Sequence, residues 1–587
     1  MLLWGAGDGK MSFAGKILRI DLTNCEINKY DSDLAKNYIG GFGFCAKLAC
    51  DNIKPEMDPL SPSNPLIIGA GALVGTNAPA TSRIYAFTKL PANGAIGWGG
   101  GGGVTFACNL KFAGYDAVII EGKADRPVFI TIEDNDIGIC DAEDTWGFGI
   151  SETCQKIWKE CGEGGIMAIG QAGENLVRFS MMYVDRLSTV GRGGIGAVMG
   201  SKNLKALFVR GSGSVEVKDR RRFDKAVKEL LERMRSYPYL KEWQELGLLK
   251  SLPAIPRDVY LKLRKRRIAC VSCPIGDKDV LELDGEEIYT TSAVNLVTPA
   301  VMGMNYKDAM RLTAKLDEYG MDMFEFLGIL NFAKELSEKG KLELDSEIDF
   351  TSLDSMLSWA KKIALREGTG DLLANGFTEM EKKFGVKPKS VVKGLRAYVT
   401  PKGPLIWNLF GTMELGQILD PRGPHVAAGG SPTYFAKRPP ESFRKHLARM
   451  GIPDEKIEEI LSGGIKIGKL LCYSHIWFTV LASLGICARA QINRFYNADI
   501  CAELYSAATG IEISKNQLLD RAKEVWRMLK LANFRAGFTR EDDLPPEDWL
   551  DDGFRDYVTG EPLTKEDVER MLDEHYMEMG LEEFMRR

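Results

Sequence analysis

Cys270 and Cys273 stand two apart in the run RRIACVSCPIGDKD (266–279). Two thiols at this spacing can hold zinc, hold part of an iron–sulfur cluster, or exchange disulfides. Pro274-Ile275-Gly276 is a tight-turn sequence, and Asp277 follows directly after it. A carboxylate there is a harder donor than a thiolate but is able to ligate iron. The chain has four histidines, too few for a multi-histidine metal site. His425 and His475 remain as acid–base candidates, with Glu414 a third; for each histidine the alternative is a packed, hydrogen-bonded side chain.

Two glycine-rich blocks offer a second kind of chemistry. GWGGGG (97–102) fits G-x-G-x-x-G in form, but PANGAI precedes it where a dinucleotide fingerprint needs a strand. Its glycines either let the backbone approach a bulky ligand or form a flexible turn. GRGGIGAVMGSKNLKA (191–206) brackets Arg192 with small residues and carries Lys202 and Lys205 downstream. Backbone amides with cations suit a phosphate; the alternative is close packing of a strand on a helix.

The elements that must position these residues change character along the chain. Residues 12–34 alternate apolar and polar around Thr23-Asn24, which predicts a β-hairpin. Strand-like runs follow at 66–73, 82–90, 115–122, 127–134 and 205–211. Helical spacing then dominates at 221–237, 307–318, 321–339, 352–367, 371–384, 440–450, 454–461 and 515–530, and LPPEDWLDDG (544–553) reads as a surface crossing. The pattern predicts an α+β protein: a β-rich domain over 1–212, then mostly helical domains over 213–420, with the CxxC pair, and 421–587. At 587 residues the chain is too long for one core, which fits such a division. A net charge of −5 argues against a nucleic-acid binder. The start MLLWGAGDGK lacks a secretory pattern and no apolar run reads as a membrane span, so a cytoplasmic protein with twelve reduced cysteines is expected.

GKILRIDLT, GTNAPATSR, LKFAGYDAVIIEGKADRPVFI and GRGGIGAVMGSKNLKA, in that order, resemble the first domain of the tungsten-containing aldehyde:ferredoxin oxidoreductase family. CVSCPIG, DEYGMD (317–322) and SLGIC (483–487) resemble its cofactor motifs. The resemblance implies a base of two β-sheets under two helical domains. Between them it implies a tungsten bis-pterin cofactor, with molybdenum as the other metal a pterin takes, a [4Fe–4S] cluster, and Mg2+ bridging the pterin phosphates. It assigns cluster ligation to Cys270, Cys273, Asp277 and Cys487. It assigns the pterins to Arg83, Asn93, Gly99, Gly100, Arg192, Gly193, Gly194 and Lys202, to Asp317, Gly320 and Asp322, and to Leu484, Gly485 and Ile486.

The chain also departs from the family. The third cluster cysteine is replaced by Asp277, and the Asp that opens the second pterin motif by Ala482. The family's Tyr-Glu-Thr matches Tyr289-Thr290-Thr291, and a threonine is no acid–base at neutral pH. The family's Glu-x-x-His, an intersubunit metal site in some members, matches Arg311-Leu312-Thr313-Ala314. The resemblance implies oxidation of an aldehyde to an acid, or the reverse, with electrons leaving to ferredoxin or an iron–sulfur subunit in an oligomer or larger complex. The alternative is the active-site subunit of a class II benzoyl-CoA reductase, acting on an aromatic acyl-CoA. A third reading, a non-catalytic scaffold, is opposed by the intact Asp317/Gly320/Asp322 motif.

Overall fold

The computed structural model describes residues 13, 15–251, 255–290, 299–300, 302–400, 409–425, 439–488, 494–551 and 553–585. The architecture is α+β. The chain through Arg210 builds two six-stranded sheets. One has the order β2 (Glu26–Asp31), β1 (Lys16–Asp21), β6 (Ala117–Glu121), β3 (Leu66–Ala70), β4 (Arg83–Lys89), β5 (Ile96–Gly102). The other runs β11 (Ser188–Val190), β10 (Met182–Val184), β9 (Gly165–Ala168), β12 (Leu204–Arg210), β7 (Val128–Glu133), β8 (Asp136–Asp141). β1 and β2 form the expected hairpin. β6, AVIIE, is apolar up to its last residue, Glu121: its edges are paired with β1 and β3, and its first four residues are buried.

The segment GWGGGG is not a turn. It is most of β5, paired antiparallel with β4 from Lys89↔Ile96 to Arg83↔Gly102. Its glycines serve a close approach between sheets. A Cβ on Gly99 would lie 2.6 Å from the Gly191 nitrogen, and one on Gly101 2.6 Å from the Thr189 carbonyl oxygen. One on Gly102 would lie 2.9 Å from the Cys270 sulfur. Side chains along β5 would hold both the second sheet and the cysteine loop away.

Helices dominate beyond residue 212, at the positions the spacing predicts and also at Ile467–Leu484, Ala498–Thr509 and Lys565–Met579, which the spacing did not single out. The expected helix at 371–384 is divided into Thr369–Leu373 and Gly376–Phe384 at Gly376, whose φ is +79°. Residues 264–289 form a three-stranded sheet, β13 (Arg264–Ile268), β14 (Lys278–Leu283) and β15 (Glu286–Tyr289), which carries the cysteine loop between its first two strands. The stretch 544–553 runs along the surface but is anchored inward: Trp549 is fully buried, its indole N–H donates to Ser390 Oγ at 3.0 Å, and Asp548 accepts from Ser390. The helix Ile467–Leu484 is long and apolar enough to cross a membrane by length and composition, but it is mostly buried in the protein. It packs against Lys515–Arg535 and Lys565–Met579 in the largest apolar core, which also takes in the helix Arg220–Arg235.

Candidate cofactor and cluster site

The loop between β13 and β14 turns tightly enough to bring its cysteines together. The Cys273 N–H donates to the Cys270 carbonyl at 3.0 Å, and the Gly276 N–H points at the Cys273 sulfur at 3.4 Å. The turn needs a left-handed residue at Gly276, φ +67°. Ala80 then joins this loop to a distant one: its N–H donates to the Ser272 carbonyl at 2.8 Å, and its carbonyl accepts from the Cys487 N–H at 3.0 Å. Three thiols from two widely separated segments therefore gather around residue 80.

Their electrostatics follow from that enclosure. Cys270 and Cys273 keep some surface exposure as residues, but their sulfurs lie deeper. Burial pushes Cys270 up to about 11, with Lys278 opposing and Asp277 and Cys487 adding to the rise. Burial, with Cys487 and Cys270 contributing, pushes Cys273 up to about 12. Thiols held this way stay protonated until a metal displaces the proton. Asp277 lies beside Cys270, with the Lys278 ammonium 3.9 Å from its Oδ1. Among the described residues no three Cys, His, Asp or Glu side chains meet closely enough for a single ion. A four-iron cubane takes ligands that stand further apart, each on its own iron.

Each of the two glycine motifs ends a helix. Gly485 closes Ile467–Leu484 with φ +83°, and a Cβ on Gly71 would overlap its backbone. The Ser483, Leu484 and Gly485 carbonyls accept from Ala72, Leu73 and Arg83 N–H groups at 3.0, 3.0 and 3.1 Å. Leu484 and Ile486 are fully buried, so what this motif can turn toward a ligand is backbone. Gly320 closes Tyr306–Tyr319 at φ +77°. Asp317 accepts from the Tyr183 hydroxyl at 2.9 Å. Asp322 caps Met323–Glu338 through Phe324 and Glu325 N–H groups and accepts from Arg192 Nε at 2.6 Å.

Arg192 also donates to Glu325 Oε1 at 2.6 Å. Sequence reading missed Glu325, a fully buried carboxylate that also accepts from the Arg396 N–H at 2.9 Å. Burial raises it to about 7 against the opposing pull of Arg192. Its place three residues after Asp322 puts it on the same helical face, but the partner that makes it notable, Arg192, lies 133 residues away in the chain.

The polar atoms around these motifs test whether they fit a pterin. Arg83 Nε, Ser180 Oγ, Ser483 Oγ and Arg422 Nε are buried without a hydrogen-bond partner among the described residues. Ser483 lies within the second motif, Ser180 bridges to Met321 in the first, and the Arg83 N–H holds Gly485. Buried orphans of this kind cost stability unless a ligand satisfies them. A flat heterocycle rich in nitrogen and oxygen, with a phosphate, supplies what they lack, so the residues fit the group.

The remaining expected residues divide by place. Gly99 and Gly100 lie on β5, and Gly193 and Gly194 lead at φ +88° and +89° into the helix Ile195–Ser201. Asn93 donates to the Lys393 and Arg422 carbonyls at 2.8 and 3.1 Å, tying the β base to the helical part. Lys202 is not beside these groups. Its buried ammonium, lowered to about 7 by burial, donates to the Pro62 carbonyl at 2.8 Å next to the end of β6. The pairing of β6 with β3 and of β3 with β4 puts that at the Lys89 end of β4, the opposite end of the sheet from Arg83 and the cysteines. Lys205 pairs with buried Glu174.

Glu414 accepts from the Gly411 N–H at 2.9 Å, closing the start of its own helix. His475 Nδ1 is 3.0 Å from His575 Nε2 inside the helical core. His425 Nε2 is 2.8 Å from Asp420 Oδ2. Thr290 Oγ1 donates to the Asp279 carbonyl at 2.9 Å, and Thr290, Thr313 and Asp317 line one small cleft. Thr291 lies outside the described residues. Arg311 pairs at the surface with Asp308 and Asp284.

A β base holding two glycine-ended helices, with buried thiols beside one of them, is the framework of a cofactor-dependent oxidoreductase. The family model for the N-terminal domain of aldehyde ferredoxin oxidoreductase matches residues 17–211, and that for domains 2 and 3 matches 225–584. Tungsten-containing aldehyde ferredoxin oxidoreductases of Pyrococcus horikoshii and Pyrococcus furiosus are each 32% identical to this chain, over 90% of it and 90% of the relative. The WOR-like subunit of an aliphatic sulfonate oxidoreductase of Pyrococcus furiosus is 28% identical over 62% of this chain and 66% of its own. The active-site complex BamBC of benzoyl coenzyme A reductase with 1,5-dienoyl-CoA superimposes with a TM-score of 0.79, at 25% identity over 98% of both chains. The chain belongs to the aldehyde ferredoxin oxidoreductase family.

Proposed function

We propose that this oxidoreductase carries a tungsten bis-pterin and a [4Fe–4S] cluster and interconverts an aldehyde and its carboxylic acid, passing electrons to ferredoxin or an iron–sulfur subunit. The observation that carries the reading is the convergence of Cys270, Cys273 and Cys487 on Ala80, beside the Gly485 motif. Arg83, Asp317, Asp322 and the backbone at 484–486 would hold the pterins. The three cysteines, with Asp277, would hold the cluster. When bound, the metal and its dithiolenes supply the two-electron chemistry, and the cluster passes electrons singly. The chain's own part is to shield, orient and move protons: Arg192 pairs with Asp322 and donates to Glu325 beside the first motif, and the glycines of β5 let the second sheet and the cysteine loop close in.

A second reading, reduction of an aromatic acyl-CoA, is favoured by Thr290 in place of the family's glutamate and by the full-length match to the benzoyl-CoA reductase complex. Metal, iron and pterin analysis of anaerobically purified protein tests the shared core. We expect about one tungsten, four irons and two pterins per chain; substoichiometric tungsten and molybdenum with no pterin released on denaturation would defeat it.

A further inference from the structure

The helix Thr412–Leu419 ends in the interior, where its last carbonyls meet two ammonium groups instead of water. Lys393 Nζ donates to the Ile418 carbonyl and, at 2.9 Å, to the Asp420 carbonyl. Lys530 Nζ donates to the Leu419 carbonyl between them at 3.0 Å. Cations suit a helix C-terminus, but burying two of them is costly without a counter-ion. Asp543 supplies it: its Oδ1 lies 2.7 Å from Lys393 Nζ and 2.7 Å from Lys530 Nζ, and the Tyr576 hydroxyl donates to its Oδ2. The side chains of Lys393 and Asp543 are 1% and 0% exposed. Burial works to raise the Asp543 carboxyl, but Lys393 and Lys530 outweigh that and hold it below the ordinary carboxylate range. Lys393 itself stands with Gly394 in the two-residue turn between Val391–Val392 and Leu395–Arg396, at φ +48° and +69°. Asn and Gly are the residues such a turn favours. A lysine there makes sense by what its ammonium holds.

What the three ions hold is the turn that follows the helix, and that turn carries Arg422. The Arg422 N–H donates to Asp420 Oδ1 and the Gly423 N–H to the Asp420 carbonyl, each at 3.1 Å. The Arg422 carbonyl accepts from Asn93 at 3.1 Å, and the same amide reaches the Lys393 carbonyl at 2.8 Å. The Arg422 side chain is fully buried. Its guanidinium donates to the Trp98 carbonyl of β5 and, at 3.3 Å, to the Pro424 carbonyl. Arg192, the partner of Asp322 in the first pterin motif, reaches that same Pro424 carbonyl at 3.3 Å. Two of the three guanidinium nitrogens of Arg422 are thus spent on fixing it, and Nε is left without an acceptor among the described residues. A buried charged donor left in this state is held for a ligand or costs stability. Neither Arg422 nor Asp543 was a candidate from the sequence.

We propose that Arg422 is a further cofactor-binding residue, offering Nε to an acceptor on the pterin, and that Asp543 is its positioning residue, acting through Lys393 and Lys530 on the turn. The Arg422 part rests on the cofactor reading; the positioning part stands without it. The test removes the ions together in Lys393→Met/Lys530→Met/Asp543→Leu, because apolar side chains of similar volume replace a buried ion cluster with little loss of stability. Lys393→Met alone, which leaves Lys530 and Asp543 balanced, is a milder second variant. In both, hydrogen exchange of peptides covering 418–425 should quicken by about tenfold or more while the strands β7 and β12 exchange as before. Unchanged exchange in that turn overturns the positioning claim. In protein isolated with its cofactor, pterin per folded chain should fall in the triple variant and in Arg422→Lys, which keeps the charge but has no Nε. It should fall no further when the changes are combined, because both act on one group. Full pterin in Arg422→Lys, or losses that add, overturns the proposal. Unaltered protein without any pterin defeats the cofactor reading instead, and the exchange result then decides the positioning part by itself.

Discussion

Asp277 is where residue chemistry departs furthest from the relatives' pattern. Position 277 follows the Pro274-Ile275-Gly276 turn closely enough for its charge to act on Cys270, and under the proposed function its carboxylate would complete a three-thiolate set. Oxygen ligation would leave one iron distinct. Asp277→Cys is expected to give an all-thiolate cluster and Asp277→Ala to favour a three-iron form; Mössbauer spectra of unaltered protein with four uniform, all-sulfur irons would refute the assignment. Glu325 gives a prediction about stability. Its carboxyl is raised from 4.5 to about 7 by burial, so the folded chain keeps a proton there that the unfolded chain has lost. The folded state binds more protons across that window, and stability must fall as pH rises from about 4.5 to about 7. Glu325→Gln should flatten that slope in denaturant titrations at a series of pH values; an unchanged slope would mean that Arg192 keeps the group ionised.

At the scale of elements, close backbone approach is what glycine supplies, and it can be tested. A Cβ at Gly99 meets the Gly191 nitrogen at 2.6 Å, backbone against backbone with no flexible atom to yield. Gly99→Ala should cost about 1–3 kcal/mol by overpacking. Gly71→Ala, which would push the Gly485 turn off the first sheet, should also lower iron content, read by chemical denaturation and iron assay. Wild-type stability and iron in both variants would show that the sheets can part freely. The same elements explain what the sequence made legible. β1, β3, β4, β6, β7 and β12 alternate or run apolar because their side chains pack, and periodicity reads side chains. β5 escaped because, apart from Ile96 and Trp98, it is all glycine and has no side-chain pattern to alternate. β13, RKRRI, escaped because it is a charged strand held by ion pairs to its neighbours rather than by burial. Lys202 looked like a phosphate ligand because sequence shows a cation near glycines but not which end of a sheet it reaches. Glu325 was hidden because its partner, Arg192, comes from the β base, far away in the chain.

At the scale of the molecule, the question is which carbonyl the cleft serves. The chain aligns over 90% of its length with tungsten aldehyde ferredoxin oxidoreductases and superimposes over 98% of it on the active-site complex of benzoyl-CoA reductase. What separates the readings lies in a few positions at the cleft. Thr290 lines the same small cleft as Asp317, so the first pterin motif faces a hydroxyl already donating to the Asp279 carbonyl rather than a carboxylate. Away from the cleft, Arg311, matched in the sequence to the start of the family's Glu-x-x-His, is engaged at the surface by Asp308 and Asp284. An enzyme that has lost the glutamate should handle small hydrated aldehydes poorly, because proton removal from them has no nearby carboxylate at 290. It should depend on an external electron carrier in every case, because the proposed ligand set Cys270, Cys273, Asp277 and Cys487 would hold one cluster, and one cluster only relays. Reconstituted protein should therefore show low rates with acetaldehyde and benzaldehyde and measurable exchange with an aromatic acyl-CoA or its cyclic diene, in each case only with added dye, ferredoxin or partner subunit. Fast turnover of short aliphatic aldehydes would show that a threonine at 290 does not limit aldehyde oxidation. Turnover with no carrier at all would mean that electrons leave by a route other than the cysteine loop.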